Sequence, residues 1–416
     1  MMNIVAIVDP YSSGQYLANE FFGRGYACVC IHSSVDIPDA FKGSYFKDNF
    51  VDYIHFNEEN RSEILDFIKT FECKAIVPGS ESGVLLANQL ANEAGLPGCE
   101  PSLLICLRDK YLMQERIAQV GLRSISQVRT SDYETLIPWI EKNQIEKVVI
   151  KPISSAGTDS VKFCENTDQI QMAMDEIIGK RDLLGNYNDD VLAQQYISGN
   201  EYVVDSVSLD GFHYVTNVSL YRKEKLHSGA IVYVEEIFIH PSTIEVTAIV
   251  DYAKAVLDAL GICFGAAHIE IMFDDEGPVL IEVGARLHGA KAPRNVQFFS
   301  DVSQLDLLVD AAIDPERFKE RTSKPPVWSK HSKAVSLINY ETGKVSSIPG
   351  KKWAGTLSSY TLSFWNIEVG QEIKETSNLF DSPGGIFLAN QSLQALESDT
   401  QRIREMENAG KLWILE

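Results

Sequence analysis

The first hundred residues alternate short β-branched runs with amphipathic stretches, and no other feature of the sequence restricts the fold as strongly. Asn3–Val8, Ala27–His32, Tyr53–Phe56 and Lys74–Pro78 predict strands, while Gly14–Arg24, Asn60–Phe71 and Ser82–Ala94 carry helical spacing. A parallel, doubly wound sheet needs this order, because each parallel crossover requires a covering helix. The first βα turn, Asp9-Pro-Tyr-Ser-Ser-Gly14, lacks a GxGxxG or Walker fingerprint, so Ser12 or Ser13 is expected to cap a helix rather than cradle a phosphate.

Past the turn Gly95-Leu-Pro-Gly98 the pattern changes. Helices are expected from about Pro101 to Val120. Strand-rich sequence follows at Lys147–Pro152, Ser160–Cys164, Val191–Tyr196, Glu201–Leu209, Phe212–Leu220, Ile231–Phe238, Ala266–Phe273 and Val279–Val283. Helices near Thr167–Ile178 and Ser242–Leu260 interrupt it, an α+β order. Beyond the breaker-rich Ser323–Pro326 come short strands and turns, closing on a charged helix near Ser392–Ala409.

Composition removes whole classes of function. With 58 acidic against 37 basic side chains the net charge is −21, a field that repels polyanions, so nucleic acid is not expected as a partner. The longest apolar runs are strand-sized, well short of the about 20 residues that span a bilayer, and the first ten residues lack a signal-peptide pattern. A cytoplasmic protein without a membrane partner is expected. The seven cysteines are scattered, with no CxxC pair, and are expected to be reduced and mostly buried; Cys28 and Cys30 share a strand face.

The chemistry lies between Lys110 and Arg294. Val148-Val-Ile-Lys-Pro152 puts Lys151 at the end of an apolar strand, and the small-residue loop Ser154-Ser-Ala-Gly-Thr-Asp-Ser160 follows it. Ser154, Ser155 and Gly157 would let backbone N–H groups approach phosphate oxygens beside that lysine. Val191–Ile197 ends in polar residues, where Gln195, Tyr196 and Ile197 could meet a purine edge and Glu201 a ribose.

The stronger signal is a hairpin. In Ala267-His-Ile-Glu-Ile271 and Val279-Leu-Ile-Glu-Val283 a glutamate interrupts each apolar strand, and Asp274-Asp-Glu-Gly-Pro278 reads as the turn between them. Antiparallel pairing would set Glu270 beside Glu282. Two adjacent buried carboxylates repel unless a cation or proton separates them, and a hard cation with oxygen ligands points to magnesium. Arg286 follows four residues after Glu282 and opens a cation-rich loop, Arg286-Leu-His-Gly-Ala-Lys-Ala-Pro-Arg294, suited to an anionic intermediate.

Taken together, Arg108-Asp-Lys110, Ile150-Lys-Pro152, the small-residue loop, Gln195-Tyr-Ile-Ser-Gly-Asn-Glu201, His268-Ile-Glu270 and Glu282-Val-Gly-Ala-Arg286 resemble the ATP-grasp superfamily of carboxylate–amine ligases. Within it the chain looks most like the L-amino-acid ligases that join two unprotected amino acids, as in bacilysin-type antibiotic pathways. The resemblance implies an α/β and α+β ATP-grasp fold in four segments. These are an N-terminal Rossmann-like domain (1–98), linker helices with a nucleotide lid (99–190), a central antiparallel domain with the metal site (191–325) and a C-terminal strand-rich segment (326–416).

The resemblance also assigns roles. Lys110 and Lys151 would contact ATP, with Ser154, Ser155 and Gly157 closing over the phosphates. Gln195, Tyr196 and Ile197 would hold adenine through the backbone, and Glu201 would sit near the ribose. Glu270 and Glu282 would bind Mg2+ or Mn2+, and Arg286 would stabilise the acyl phosphate and the tetrahedral intermediate. Glu235, Glu236, His288 and Gly289 are candidates for the substrate pockets. The expected partners are ATP and two small amino-acid-like substrates, with a homodimer as the allowed assembly. One departure stands out: many members carry Glu-x-Asn after the last metal strand, whereas Gly284 takes the asparagine's place here, so either Glu282 bridges two ions or the second ion is weaker. Three other outcomes stay open: a non-amino carboxylate as substrate, a carboxylase-like subunit, and a catalytically silent nucleotide-binding regulator.

Overall fold

The computed structural model describes residues 3–155, 157, 159–226, 231–378 and 381–416. The chain divides into two compact units, one formed by residues 1–216, 244–294 and 303–324, the other by 217–243, 295–302 and 325–416.

The first unit opens with the expected parallel sheet. Strands β1 (Asn3–Val8), β2 (Tyr26–His32), β3 (Asp52–His55) and β4 (Ile76–Pro78) lie in the order β3-β2-β1-β4, all parallel. Helices α1 (Leu17–Phe22), α2 (Arg61–Thr70) and α3 (Val84–Ala94) alternate with them. Val8, Val29, Ile31, Ile76 and Leu90 are buried together, the apolar faces that the alternation demands. Chain order reverses between β1 and β4, and there the turns after both strands meet. A Cβ on Gly14 would fall 2.5 Å from the Gly79 Cα, so neither turn could approach this closely with a side chain in place.

The capping expectation for Ser12 and Ser13 fails. Ser12 has a left-handed φ of 52° and its N–H donates to Ser44 Oγ, while α1 starts only at Leu17 after a short 3-10 turn without a side-chain cap. Close packing against Gly79 sets the turn instead.

A small antiparallel sheet follows, built from β5 (Gln127–Thr130), β6 (Val148–Lys151), β7 (Lys162–Cys164) and β8 (Val191–Gln195) in the order β5-β8-β6-β7. The unit also holds β9 (Asn200–Leu209), the first half of β10 (Phe212–Lys225), β12 (Gly265–Asp274) and β13 (Gly277–Gly284). Here β12 pairs antiparallel with both β9 and β13. The second unit contains the later half of β10, β11 (Ile231–Ile239), β14 (His331–Leu337), β15 (Gly343–Ser347), β16 (Tyr360–Trp365), β17 (Glu372–Ile373) and β18 (Gly384–Asn390). Its largest sheet runs β10-β11-β14-β18-β16 and is packed by the helix Leu393–Asn408 through Leu396 and Ile403.

Of the helices that escape sequence periodicity, the two longest do so for different reasons. Tyr133–Lys142 contains Pro138, which ordinarily ends a helix. Gln304–Ile313 is buried around most of its circumference, so it shows no apolar stripe to detect. All seven cysteines are free thiols, six of them buried, and burial pushes Cys28 and Cys30 up to about 12. Among the described residues no helix is long and apolar enough to cross a membrane.

Candidate active site

In the register between β12 and β13, Glu270 lies directly opposite Glu282, with an irregularity immediately after the pair. Their side chains are 21% and 20% exposed in strands whose other residues are largely buried. Charge balance is visible locally: Lys110 Nζ stands 3.0 Å from Glu282 Oε2, and His268 Nε2 stands 3.3 Å from Glu270 Oε1. The arrangement fits a hard cation, since two oxygen donors already face each other and one is matched by a lysine ammonium.

The Arg108-Asp-Lys110 motif works through its middle residue. Asp109 accepts from the Leu112 N–H and caps α4 (Lys110–Gln119), which puts Arg108 just outside the helix and Lys110 at its first position. Lys110 also donates to the Ser155 carbonyl at 2.5 Å, and Arg108 to the Ser154 carbonyl at 2.5 Å. The phosphate-loop candidates are thus tied to both cations. Asp159 organises the loop from inside, accepting from Ser155 Oγ (2.7 Å), Ser160 Oγ (3.0 Å) and the Leu183 N–H (2.8 Å). Gly157 takes a left-handed φ of 68°; Ala156 and Thr158 of the same loop lie outside the described residues.

Lys151 ends β6 and is buried. Burial lowers its ammonium to about 8, although the charges of Glu282, Glu270 and Glu201 resist the fall. It is therefore charged below about pH 8 and neutral above it. ATP affinity is expected to weaken as pH rises through 8, by about tenfold for one lost charge, and Lys151→Ala should remove that step while raising the ATP requirement. Equilibrium nucleotide titrations across this range check it; a pH-independent affinity in the wild type would make the lysine structural.

The adenine expectation narrows. The Gln195 N–H donates to the Ser126 carbonyl and the Tyr196 N–H to the Lys147 carbonyl, so these two N–H groups are engaged within the protein. Tyr196 packs edge-on to Phe163 and beneath the Lys147 ammonium, and Ile197 packs with Ile125, Met272 and Val279. Glu201 is buried opposite Met272.

Arg286 is held by a residue that sequence patterns do not single out. Its Nε donates to Glu81 Oε2 at 2.8 Å, while Arg108 bonds the other oxygen of the same carboxylate. Burial alone would raise Glu81, but Arg108, Arg286 and Lys110 outweigh it and hold the carboxyl at about 2. This pair also accounts for Gly284. A Cβ there would lie 2.9 Å from Glu81 Oε2 and 3.0 Å from Arg286 Cζ, so the ion pair occupies the space an asparagine side chain would need.

Of the four pocket candidates, His288 is buried with Nδ1 2.9 Å from Asp205 Oδ2, and Gly289 sits where a Cβ would come 3.7 Å from Ser12 Oγ. Asp205 also lies 3.1 Å from His268 Nδ1. Burial works against charge on both partners, yet electrostatic attraction from His288, together with these hydrogen bonds, keeps Asp205 well below the usual carboxylate range. The bonds of His268 to Asp205 and Glu270 lift His268 to about 9. Glu235 and Glu236 belong to the second unit, on β11, where the Glu235 carboxylate is bound by Lys333 at 3.4 Å and Arg222 at 3.5 Å. Two cations already neutralise it.

The model of the ATP-grasp domain matches residues 145–293, a span holding Lys151, the loop, Glu270, Glu282 and Arg286. Dapdiamide A synthase from Enterobacter agglomerans is 30% identical over 412 residues, covering 97% of this chain and 96% of that protein. Among solved structures, an L-amino acid ligase from Bacillus licheniformis superposes with a TM-score of 0.77 at 17% identity, over 100% of this chain and 98% of that one. An N5-carboxyaminoimidazole synthase from Aspergillus clavatus, solved with ADP and its ribonucleotide, gives 0.71 at 12% identity, over 98% and 99%. At those identities the structures speak for the fold, and the near full-length match to the synthase speaks for the family: the chain belongs to the ATP-grasp carboxylate–amine ligases.

Proposed function

We propose that the chain joins the carboxylate of one L-amino acid to the amine of another, giving a dipeptide, ADP and phosphate in the cytoplasm. The observation that carries this is the facing pair Glu270 and Glu282 beside Lys110, with the Arg286 guanidinium anchored on Glu81. The name of the dapdiamide synthase, the relative matched over nearly its whole length, favours an amide-forming ligase over a carboxylase role.

The chemistry follows from the charges. Lys110 and Lys151 draw the triphosphate in and orient it, and the Ser154–Ser160 loop covers it. A carboxylate oxygen of the first amino acid attacks the γ-phosphorus and ADP leaves, forming an acyl phosphate. Magnesium held by Glu270 and Glu282 would supply charge neutralisation for that transfer. The second substrate's amine attacks the acyl carbon, the bond from that carbon to the phosphate oxygen breaks, and the proton the amine loses leaves with the phosphate. Arg286 is suited to the negative oxygen that develops on the carbonyl, because Glu81 fixes its plane in advance. Exclusion of water protects the anhydride. No serine or cysteine nucleophile is required.

The test is a panel of amino-acid pairs with ATP, scored for phosphate and for product mass. The expected outcome is one amide formed per ADP and phosphate released. AMP and pyrophosphate instead would mean activation by adenylation and would overturn the reading.

A further inference from the structure

We propose that Asp205 is a positioning residue, holding Glu270 through His268 and the Arg286 loop through His288. This rests on the reading of Glu270 and Arg286 just given.

Asp205 lies on β9 directly opposite His268 on β12, and it is 1% exposed. Its Oδ1 is 3.1 Å from His268 Nδ1 and its Oδ2 is 2.9 Å from His288 Nδ1. A buried carboxylate accepts and never donates, so each Nδ1 carries the proton of its bond. That fixes both rings, whose centroids are 4.1 Å apart. With Nδ1 engaged, the Nε2 of His268 is aimed at Glu270 Oε1, 3.3 Å away. The chain of contacts runs Asp205, His268, Glu270 and ends on a carboxylate of the proposed metal site.

The second arm reaches the loop after β13. His288 sits two residues beyond Arg286, and its N–H donates to Gln304 Oε1 at 2.9 Å. The amide nitrogen of Gln304 donates in turn to the carbonyls of Ala267 at 2.8 Å and Ser206 at 3.3 Å. The loop is therefore sewn to both β9 and β12. It needs the anchors, because Ala290 and Lys291 adopt left-handed φ values of 49° and 66°, a turn that side-chain-bearing residues do not hold unaided. One carboxylate thus sets the relative placement of a metal ligand and the arginine for the acyl phosphate. Partners behind a ligand of this kind change metal affinity or activity by about 10- to 100-fold when lost.

The test reads nucleotide binding first, without turnover. For wild type, Asp205→Asn and His268→Asn, ATP affinity is titrated at graded magnesium. The asparagine at 268 keeps a donor for Asp205 but withdraws the ring nitrogen that faces Glu270, so the fold is spared even where Asp205→Asn proves unstable. Both variants should need about 10-fold more magnesium or beyond, with metal-free ATP affinity unchanged. His288→Asn, which retains a donor at the Nδ1 place, should keep a higher kcat than His288→Leu at equal KM for ATP. A magnesium requirement within twofold of wild type in both variants would overturn the proposal. A stoichiometric transition metal in the purified wild type, absent from Asp205→Asn, would overturn it too, by making these residues ligands. Because the titration uses no second substrate, failure of every amino-acid pair would strike the proposed function and leave this result standing.

Discussion

Glu282→Ala is expected to reduce ATP-dependent ligation by about a thousandfold or more, roughly 4 kcal/mol of transition-state stabilisation, even at saturating magnesium. Glu282 faces Glu270 across the hairpin and is the carboxylate nearest Lys110. Removing it takes away half of the facing oxygen donors and frees the lysine from its partner. Lys110 keeps its bond to the Ser155 carbonyl and compensates part of the loss in nucleotide binding, since its ammonium then meets the triphosphate without Glu282 beside it. The variant should therefore still bind ATP without metal, while the gain from magnesium disappears. Its fold should survive, because the side chain is partly exposed and β13 is held by Val279, Leu280 and Val283, all buried. Titration of ATP with and without magnesium, beside a phosphate-release assay, checks both halves. Full turnover at saturating magnesium would remove Glu282 from the metal site.

The hairpin was legible because strand periodicity and a short turn together determine register, and register alone puts Glu270 beside Glu282. The same holds for the parallel sheet, whose four strands and three helices follow from local alternation. The residues that support the site carry no such local mark. Asp205 and Gln304 act on partners that are distant in sequence or buried behind the strands, and each reads in isolation as an ordinary polar residue. Glu81 is the instructive case. It stands three residues after β4, at the carboxyl end of the strand beside which chain order reverses, where doubly wound sheets gather functional groups. That rule could have marked it; its partners, 27 and 205 residues away, could not have been named. Gly284 shows the converse, since its departure from the family pattern was plain in the sequence while its cause, an ion pair filling the space, is purely spatial.

Glu81→Gln should combine a loss of stability with a loss of rate. The carboxylate is shared by Arg108 and Arg286, and its side chain is 10% exposed. Neutralising it leaves two guanidinium groups facing one another, and breaking a buried pair from one side costs about 3–5 kcal/mol. The acid dependence has a definite sign. The folded carboxyl is depressed to about 2 from an ordinary 4.5, so the unfolded state binds the proton first as pH falls. Its contribution is complete above about 4.5 and is lost as pH falls towards 2. Thermal unfolding of the wild type should therefore weaken across that window more steeply than that of Glu81→Gln. The rate effect has a separate origin. Arg286 loses the partner that fixes its plane, and Arg108 loses the anchor from which it holds the Ser154 carbonyl, so kcat should fall about a hundredfold, the scale of one lost oxyanion donor. A double-mutant cycle with Arg286→Lys should show strong coupling in kcat, since both substitutions disturb one guanidinium. Wild-type kcat in Glu81→Gln would show that the pair does not orient the arginine, and an acid slope indistinguishable from wild type would show that the carboxylate does not hold its low pKa in the folded chain.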